Sequence, residues 1–206
     1  MKLIIFDMDG TLIDSGNVIT NTINYVRSNL GLESIDKNTM LEQLNNPDIN
    51  SAEFFYGTSE FTDKQTELFT KYYDENCVND IKLYDGIEEL LKELKKDYIL
   101  SVATNASQEF AKKMLDFLDI SKYFNYVVGA NMVSSPKPSP DMLLNTLEVL
   151  KVKKENAILI GDSQKDARAA KNSNMDFILV NWGFSEEDKD GASSIEELKE
   201  KIKGNK

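Results

Sequence analysis

Apolar residues fall along this chain in two alternating rhythms. Short continuous runs at residues 3–6, 98–103, 126–129, 157–161 and 177–181 read as buried strands. Between them lie "DGIEELLKELKK", "SQEFAKKMLDFL" and "SPDMLLNTLEVL", whose apolar residues recur at i, i+3 and i+4, the spacing of one helix face. In the third segment Ser139 suits the cap, Pro140 the first helical position and Asp141 the positive end of the dipole. Strand alternating with helix predicts an α/β fold, a parallel sheet covered on both faces.

Residues 16–82 break the rhythm. "NVITNTINYVRSNLG" and "TDKQTELFTKYYDEN" carry helical patterns, "LNNPDINS" reads as a turn, and no strand is evident. The expectation is a mostly helical insertion the size of a small domain, between the first and second strands of the sheet. The polar tail "EELKEKIKGNK" reads as a solvated terminal helix that frays.

Composition narrows the function. The 206 residues suffice for one sizeable core with a small accessory domain. A formal net charge of −11 argues against nucleic acid and anionic membranes as partners, and means that an anionic substrate needs a locally positive site. No segment approaches membrane-spanning or signal-peptide length. The single cysteine, Cys77, excludes an intramolecular disulfide and reads as a partly buried free thiol, so the expected compartment is the cytoplasm.

The chemistry gathers at strand ends. "LIIF" leads into Asp7 and Asp9, "ILSVA" into Thr104 and Asn105, "YVVG" into a loop carrying Lys137, and "AILIG" into Asp162 and Asp166. In an open parallel sheet ligands bind beyond the carboxyl ends of the strands, so these clusters should converge. Residues two apart on extended chain share a side, which brings Asp7 and Asp9 together. At about 5 Å and an effective dielectric near 20, two carboxylates repel by roughly 3 kcal/mol, enough to hold one protonated or to require a cation. Asp162 adds a third acid. Oxygen donors with no histidine in the chain suit Mg²⁺ better than zinc. Gly10 permits close backbone approach, the amides around Thr11 can form an anion nest, Lys137 supplies positive charge, and Thr104 and Asn105 supply hydrogen bonds. The set suits a phosphate.

"DMDGTL", "TN", the lysine of "KPSPD" and "GDSQKD", in this order, resemble the four motifs of the haloacid dehalogenase superfamily of hydrolases, and the helical insertion resembles the cap of its phosphoglycolate phosphatase-like members. The resemblance implies a Rossmann-like doubly wound core of residues 1–15 and 83–206 with a helical cap of residues 16–82. It implies Asp7 as a nucleophile that becomes an aspartyl-phosphate and Asp9 as the acid and then the base. Mg²⁺ would sit on Asp7, Asp162 and the backbone carbonyl of Asp9, while Thr104 and Lys137 hold the phosphoryl group and Asp166 and Ser163 support them. Asn174 stands where relatives usually have glycine at a helix end, a left-handed position that asparagine tolerates. Asp85 stands where relatives often have proline, at a position read as structural. Asp14 reads as a hinge residue, Trp182 as core, and Asn45–Asn46–Pro47 as a turn.

The expected activity is hydrolysis of a small phosphorylated metabolite such as phosphoglycolate, by a monomer or homodimer. A dehalogenase usually lacks the second acid, and a mutase of the β-phosphoglucomutase type uses a cap histidine that this chain does not have. A phosphonate hydrolase uses a cap lysine, for which Lys37, Lys64, Lys71 and Lys82 are available. A non-catalytic phosphometabolite-binding module on the same fold is the remaining alternative.

Overall fold

The computed structural model describes residues 2–184 and 188–204. Its first strand, β1 (Lys2–Phe6), sends alternate side chains to opposite faces: Ile4 and Phe6 enter one apolar cluster, Leu3 and Ile5 another. A short strand β2 (Ile13–Asp14) follows, then four helices, α1 (Gly16–Asn29), α2 (Lys37–Asn45), α3 (Ser51–Tyr56) and α4 (Asp63–Asn76). β3 (Lys82–Leu83) returns antiparallel to β2, pairing Ile13 with Leu83 and Asp14 with Lys82. The chain then runs through α5 (Ile87–Leu94), β4 (Tyr98–Thr104), α6 (Gln108–Phe117), β5 (Tyr126–Gly129), α7 (Asp141–Leu150), β6 (Ala157–Gly161), α8 (Gln164–Ser173), β7 (Asp176–Leu179) and α9 (Ile195–Gly204).

The parallel sheet has the order β5-β4-β1-β6-β7. From the central β1 the chain builds outward to β5, then returns to add β6 and β7 on the other side. Such a reversal opens a crevice beyond the carboxyl ends of the middle strands. Both faces are covered. In α5, Ile87, Leu90, Leu91 and Leu94 form one buried stripe on the first cluster, and in α7 Met142, Leu143 and Leu147 do the same on the second.

Four of the five strand expectations hold to within a residue at each end. The last strand stops at Leu179, because Val180 makes an isolated bridge to Ala192 and the Asn181 side chain turns to the Asp188 carbonyl and the Ser193 hydroxyl. In α7 the residue before the first helical turn is Pro140 rather than Ser139, whose hydroxyl bonds Asp141 instead. Asn174 ends α8 in the left-handed conformation at φ 53°, as its side chain allows.

The insertion is helical, with α2 and α3 added to the two helices legible in the sequence. Thr62 and Gln65 form a reciprocal capping box at the start of α4. The paired segments at its base include Lys82, inside a range where no strand was expected; two-residue strands leave no periodic signal. Asp14 pairs there with Lys82, their charged groups 3.9 Å apart. The tail corrects the sequence reading: Leu198 and Ile202 of α9 are buried on the first cluster, and Lys199 pairs with Glu93 of α5. Two apolar residues one turn apart suffice to dock a helix that its charged majority disguises; residues 205 and 206 lie outside the described residues. Cys77 is free and fully buried rather than partly exposed, and burial pushes its thiol pKa up.

Candidate active site

Asp7 continues β1 by one residue, its amide donating to the Ile160 carbonyl at 2.8 Å. The chain then turns: the amides of Leu12 and Ile13 donate to the Met8 carbonyl, and Met8 and Leu12 anchor the turn in the core. Gly10 sits at φ +85°, and a Cβ there would collide with the Asp162 carboxylate. Trp182, at the far end of β7, donates its indole N–H to the Thr11 carbonyl at 3.0 Å, pinning the turn from outside. It is partly buried against the core, as expected, with this additional tie to the site.

Lys137 comes from the loop after β5 and is 4% exposed. Its Nζ donates to Asp7 Oδ1 at 2.5 Å and to Asp166 Oδ1 at 2.6 Å. Its backbone is gripped by Asn105, whose side chain accepts from the Lys137 amide at 3.0 Å and donates to the Lys137 carbonyl at 2.9 Å. Asn105 was expected to donate to phosphate; in the structure its side-chain amide is engaged in positioning Lys137. Asp166 is fixed in the first turn of α8, where its Oδ2 accepts from the amide and hydroxyl of Ser163. Ser163 in turn caps the helix through the Asp166 amide.

Oxygens of Asp7, Asp162 and Asp166 lie within 4.8 Å of one another, and all three residues are buried. Asp162 accepts from the Phe184 amide at 2.7 Å. Thr11 stands beside Asp7 and Asp162, its hydroxyl 3.4 and 3.5 Å from their oxygens. Burial pushes the Asp162 carboxyl up to about 7, with repulsion from Asp166 acting the same way. Burial also raises Asp7, against the pull of Lys137. Burial works against the charge on Lys137, but Asp166 and Asp7 outweigh it and hold the ammonium protonated. One buried cation thus faces three buried acids, all oxygen donors. That donor set fits a hard divalent cation such as Mg²⁺.

The Asp9 side chain departs from the pairing with Asp7 that spacing alone predicts; the resemblance gives only its backbone carbonyl to the metal. Its side chain does not join the acid cluster, where Asp166 takes the third place. The turn at Gly10 ends the extended chain, so the alternation that would pair Asp7 with Asp9 no longer sets the contacts. The Asp9 carboxylate accepts instead from Ser15 at 2.5 Å and from Thr104 at 3.3 Å. Burial raises its pKa, while the Ser15 and Thr104 bonds oppose the rise.

A cavity of about 350 Å³ opens over these groups. Asp7, Asp9, Thr104, Asn105, Lys137, Ser163 and Asp166 line it, whereas Gly10, Thr11 and Asp162 do not, and Asp162 lines a second cavity instead. The rest of the wall is Ile19, Leu44, Asn45, Phe69, Thr70 and Tyr73 from the insertion, and Ala106, Ser107, Phe110, Lys165 and Phe184 from the rest of the chain. Asn45, expected in a plain turn, lies at the end of α2 and reaches Asp162 Oδ2 at 3.4 Å.

Comparison with known proteins agrees with this geometry. The model of the haloacid dehalogenase-like hydrolase family matches residues 4–180. A phosphoglycolate phosphatase of Aquifex aeolicus (strain VF5) is 35% identical over 185 residues, covering 89% of this chain and 86% of that protein. Among solved structures, a predicted phosphatase from Clostridium acetobutylicum superposes with a TM-score of 0.85 at 29% identity, and a haloacid dehalogenase-like hydrolase from Streptococcus pneumoniae with 0.82 at 28%, each covering 98% of both chains. With a buried lysine–aspartate centre at the carboxyl ends of a parallel sheet, and a family match across nearly the whole chain, this protein belongs to the haloacid dehalogenase-like hydrolases, as a phosphohydrolase.

Proposed function

We propose that this protein is a Mg²⁺-dependent phosphomonoesterase for a small phosphorylated metabolite, working through an aspartyl-phosphate, an acyl phosphate formed on Asp7. The observation that carries the reading is the division between two aspartates two residues apart. Asp7 is ion-paired to Lys137 within the acid cluster, and Asp9 is held apart from that cluster by Ser15 and Thr104.

In the first step a carboxylate oxygen of Asp7 attacks phosphorus and the bond to the leaving oxygen breaks. Asp9, kept protonated more readily by its burial, gives its proton to that oxygen. In the second step Asp9 takes a proton from water, the water oxygen bonds to phosphorus, and the bond to Asp7 breaks, releasing phosphate and restoring both acids. Lys137 and Thr104 steady the transferring group, and Ser163 and Asp166 hold Lys137 in place. Asp7, Asp162 and the Asp9 carbonyl, with Asp166 beside them, would hold Mg²⁺, which supplies charge stabilisation for the phosphoryl oxygens. Residues 16–82 would serve as a cap over a core of residues 1–15 and 83–206, a role supported by the cavity wall that α1, α2 and α4 contribute. Gating by such a segment is a common means of excluding water.

The test is p-nitrophenyl phosphate turnover with Mg²⁺, with EDTA and Asp7→Asn as controls. Metal-dependent turnover that the variant lacks supports the reading, and its absence in the wild type on any phosphate ester defeats it. Phosphonate hydrolysis is less well supported, because Lys37, Lys64, Lys71 and Lys82 do not line the cavity. The second acid, Asp9, disfavours the dehalogenase, and a binding-only module would not need the full set of acids. Among the described residues, no helix is long and apolar enough to cross a membrane. We place the protein in the cytoplasm, as a monomer or homodimer.

A further inference from the structure

The cavity has two unlike halves. One part of the lining is the acids and Lys137; the apolar part is Ile19, Leu44, Phe69 and Tyr73 from the insertion with Phe110 and Phe184 from the rest of the chain. Three of these rings are mutually locked. Phe69 and Tyr73, one turn apart on α4, stack at 5.4 Å and 19°, and Phe110 of α6 meets Tyr73 edge-on at 5.0 Å and 75°. The Tyr73 hydroxyl is committed to the Met114 sulfur at 3.6 Å. Its ring is therefore what it offers to the cavity.

Polar groups are a minority in this part of the lining: Thr70 and Ser107 stand beside Asn45 and Lys165. Asn45 bonds Asp162, and Lys165, among the described residues the one cation of the lining besides Lys137, donates one of its three N–H groups to the Leu44 carbonyl at 2.6 Å. Among the described residues, no arginine lines the cavity. A carboxylate on the departing alcohol, as in glycolate, would lose its hydration here for a share of Lys165 alone, whose ammonium already serves the Leu44 carbonyl. A flat apolar group would instead replace water against three rings. The cavity volume is also within the range of roughly 300–1,000 Å³ typical of small-molecule sites.

We infer that the physiological substrate is a phosphomonoester of an uncharged alcohol carrying an apolar, ring-sized body, with Phe69, Tyr73 and Phe110 as the residues that select it. The inference rests on the phosphomonoesterase reading and adds the class of leaving group to it.

Steady-state kinetics with Mg²⁺ on benzyl phosphate, methyl phosphate and phosphoglycolate test it, since benzyl alcohol and methanol are of similar acidity and the bond-breaking step is matched. Benzyl phosphate should exceed methyl phosphate in kcat/KM by about 10–100-fold, the worth of burying a ring, and should exceed phosphoglycolate too. In Phe110→Ala the benzyl-to-methyl ratio should fall about tenfold, mainly through KM. If that variant melts early, Phe110→Leu, which keeps apolar bulk and removes the ring, decides by the same ratio. Preference for phosphoglycolate, or a ratio unmoved by the folded variant, overturns the inference and leaves the phosphatase standing. No hydrolysis of these esters or of p-nitrophenyl phosphate overturns both.

Discussion

Lys137 Nζ lies 2.5 Å from Asp7 Oδ1, a buried ion pair that Asp166 completes from the other side at 2.6 Å. The lysine therefore has two tasks, offsetting charge on Asp7, the nucleophile we propose, and joining the loop after β5 to the start of α8. Removing one member of a buried pair strands the other's charge. We expect Lys137→Ala to destabilise the fold by about 3–5 kcal/mol in urea titrations, and to abolish most activity at urea-free concentrations where the variant stays folded. Lys137→Arg should not rescue it, since a planar fork does not fit between two acids placed for a point charge. An unchanged unfolding midpoint in Lys137→Ala would contradict the structural half of this argument.

Asp9 offers a separable experiment. Asn in its place keeps size and accepts from Ser15, but cannot give or take the proton. We expect Asp9→Asn to slow alkyl phosphate hydrolysis by about 10²–10⁴-fold. With p-nitrophenyl phosphate, whose leaving group needs little protonation, rapid-quench measurements should show a burst of p-nitrophenol followed by slow turnover. Equal losses on both substrates with no burst would argue that Asp9 merely positions.

The three-acid cluster predicts a metal response measurable without substrate. Mg²⁺ should raise the melting temperature, by about 2.7 kcal/mol of stability at a concentration one hundred times its Kd. Asp162→Asn should melt higher than wild type in EDTA, because one buried charge is gone, and should lose most of the Mg²⁺ response. A variant that keeps the full response would remove Asp162 from the metal site.

How much of this was legible in the sequence follows from where each residue stands in the chain. Asp7, Thr104, Lys137 and Asp162 could be placed because each follows an apolar run, and a parallel sheet brings such ends together. The exchange of Asp9 for Asp166 in the acid cluster could not, because it depends on the turn at Gly10 and on the Ser163 hydroxyl holding Asp166 inward. Phe69, Tyr73 and Phe110 fall in segments with helical spacing, which says which face is apolar and not whether that face meets a core or a cavity. Asn105 was the right residue in the wrong contact: a side chain that can donate to phosphate can also clamp a backbone, and only the path of the Lys137 loop decides between them.

The tyrosines of the insertion and its base give a pH prediction. Burial pushes Tyr56 up to about 12, and raises Tyr73 and Tyr84 as well, with nearby carboxylates adding to the effect on those two. An unfolded tyrosine ionises near 10, so above that pH the unfolded chain releases protons that the folded chain keeps. Stability from these residues is full below pH 10 and falls as pH rises from about 10 toward 12. Melting temperatures followed by circular dichroism should drop over that window, and Tyr56→Phe should lessen the drop. A flat profile between pH 10 and 12 would mean that these hydroxyls are open to water.

The pairing of Ile13 with Leu83 has a consequence for how the molecule is assembled and how it could be remade. It brings the two ends of a long excursion side by side, so that to the sheet the whole insertion is equivalent to one tight reversal of the chain. Closing a loop costs only about 0.6 kcal/mol more for each doubling of its length, so the excursion can grow or shrink at little expense to the strands it separates. The segment above the knot is thus a cassette. Exchanging it for another of different sequence, spliced at the same two short strands, should leave Asp7, Lys137 and Asp166 in place, remove the contact of Asn45 with Asp162, and change what the cavity admits.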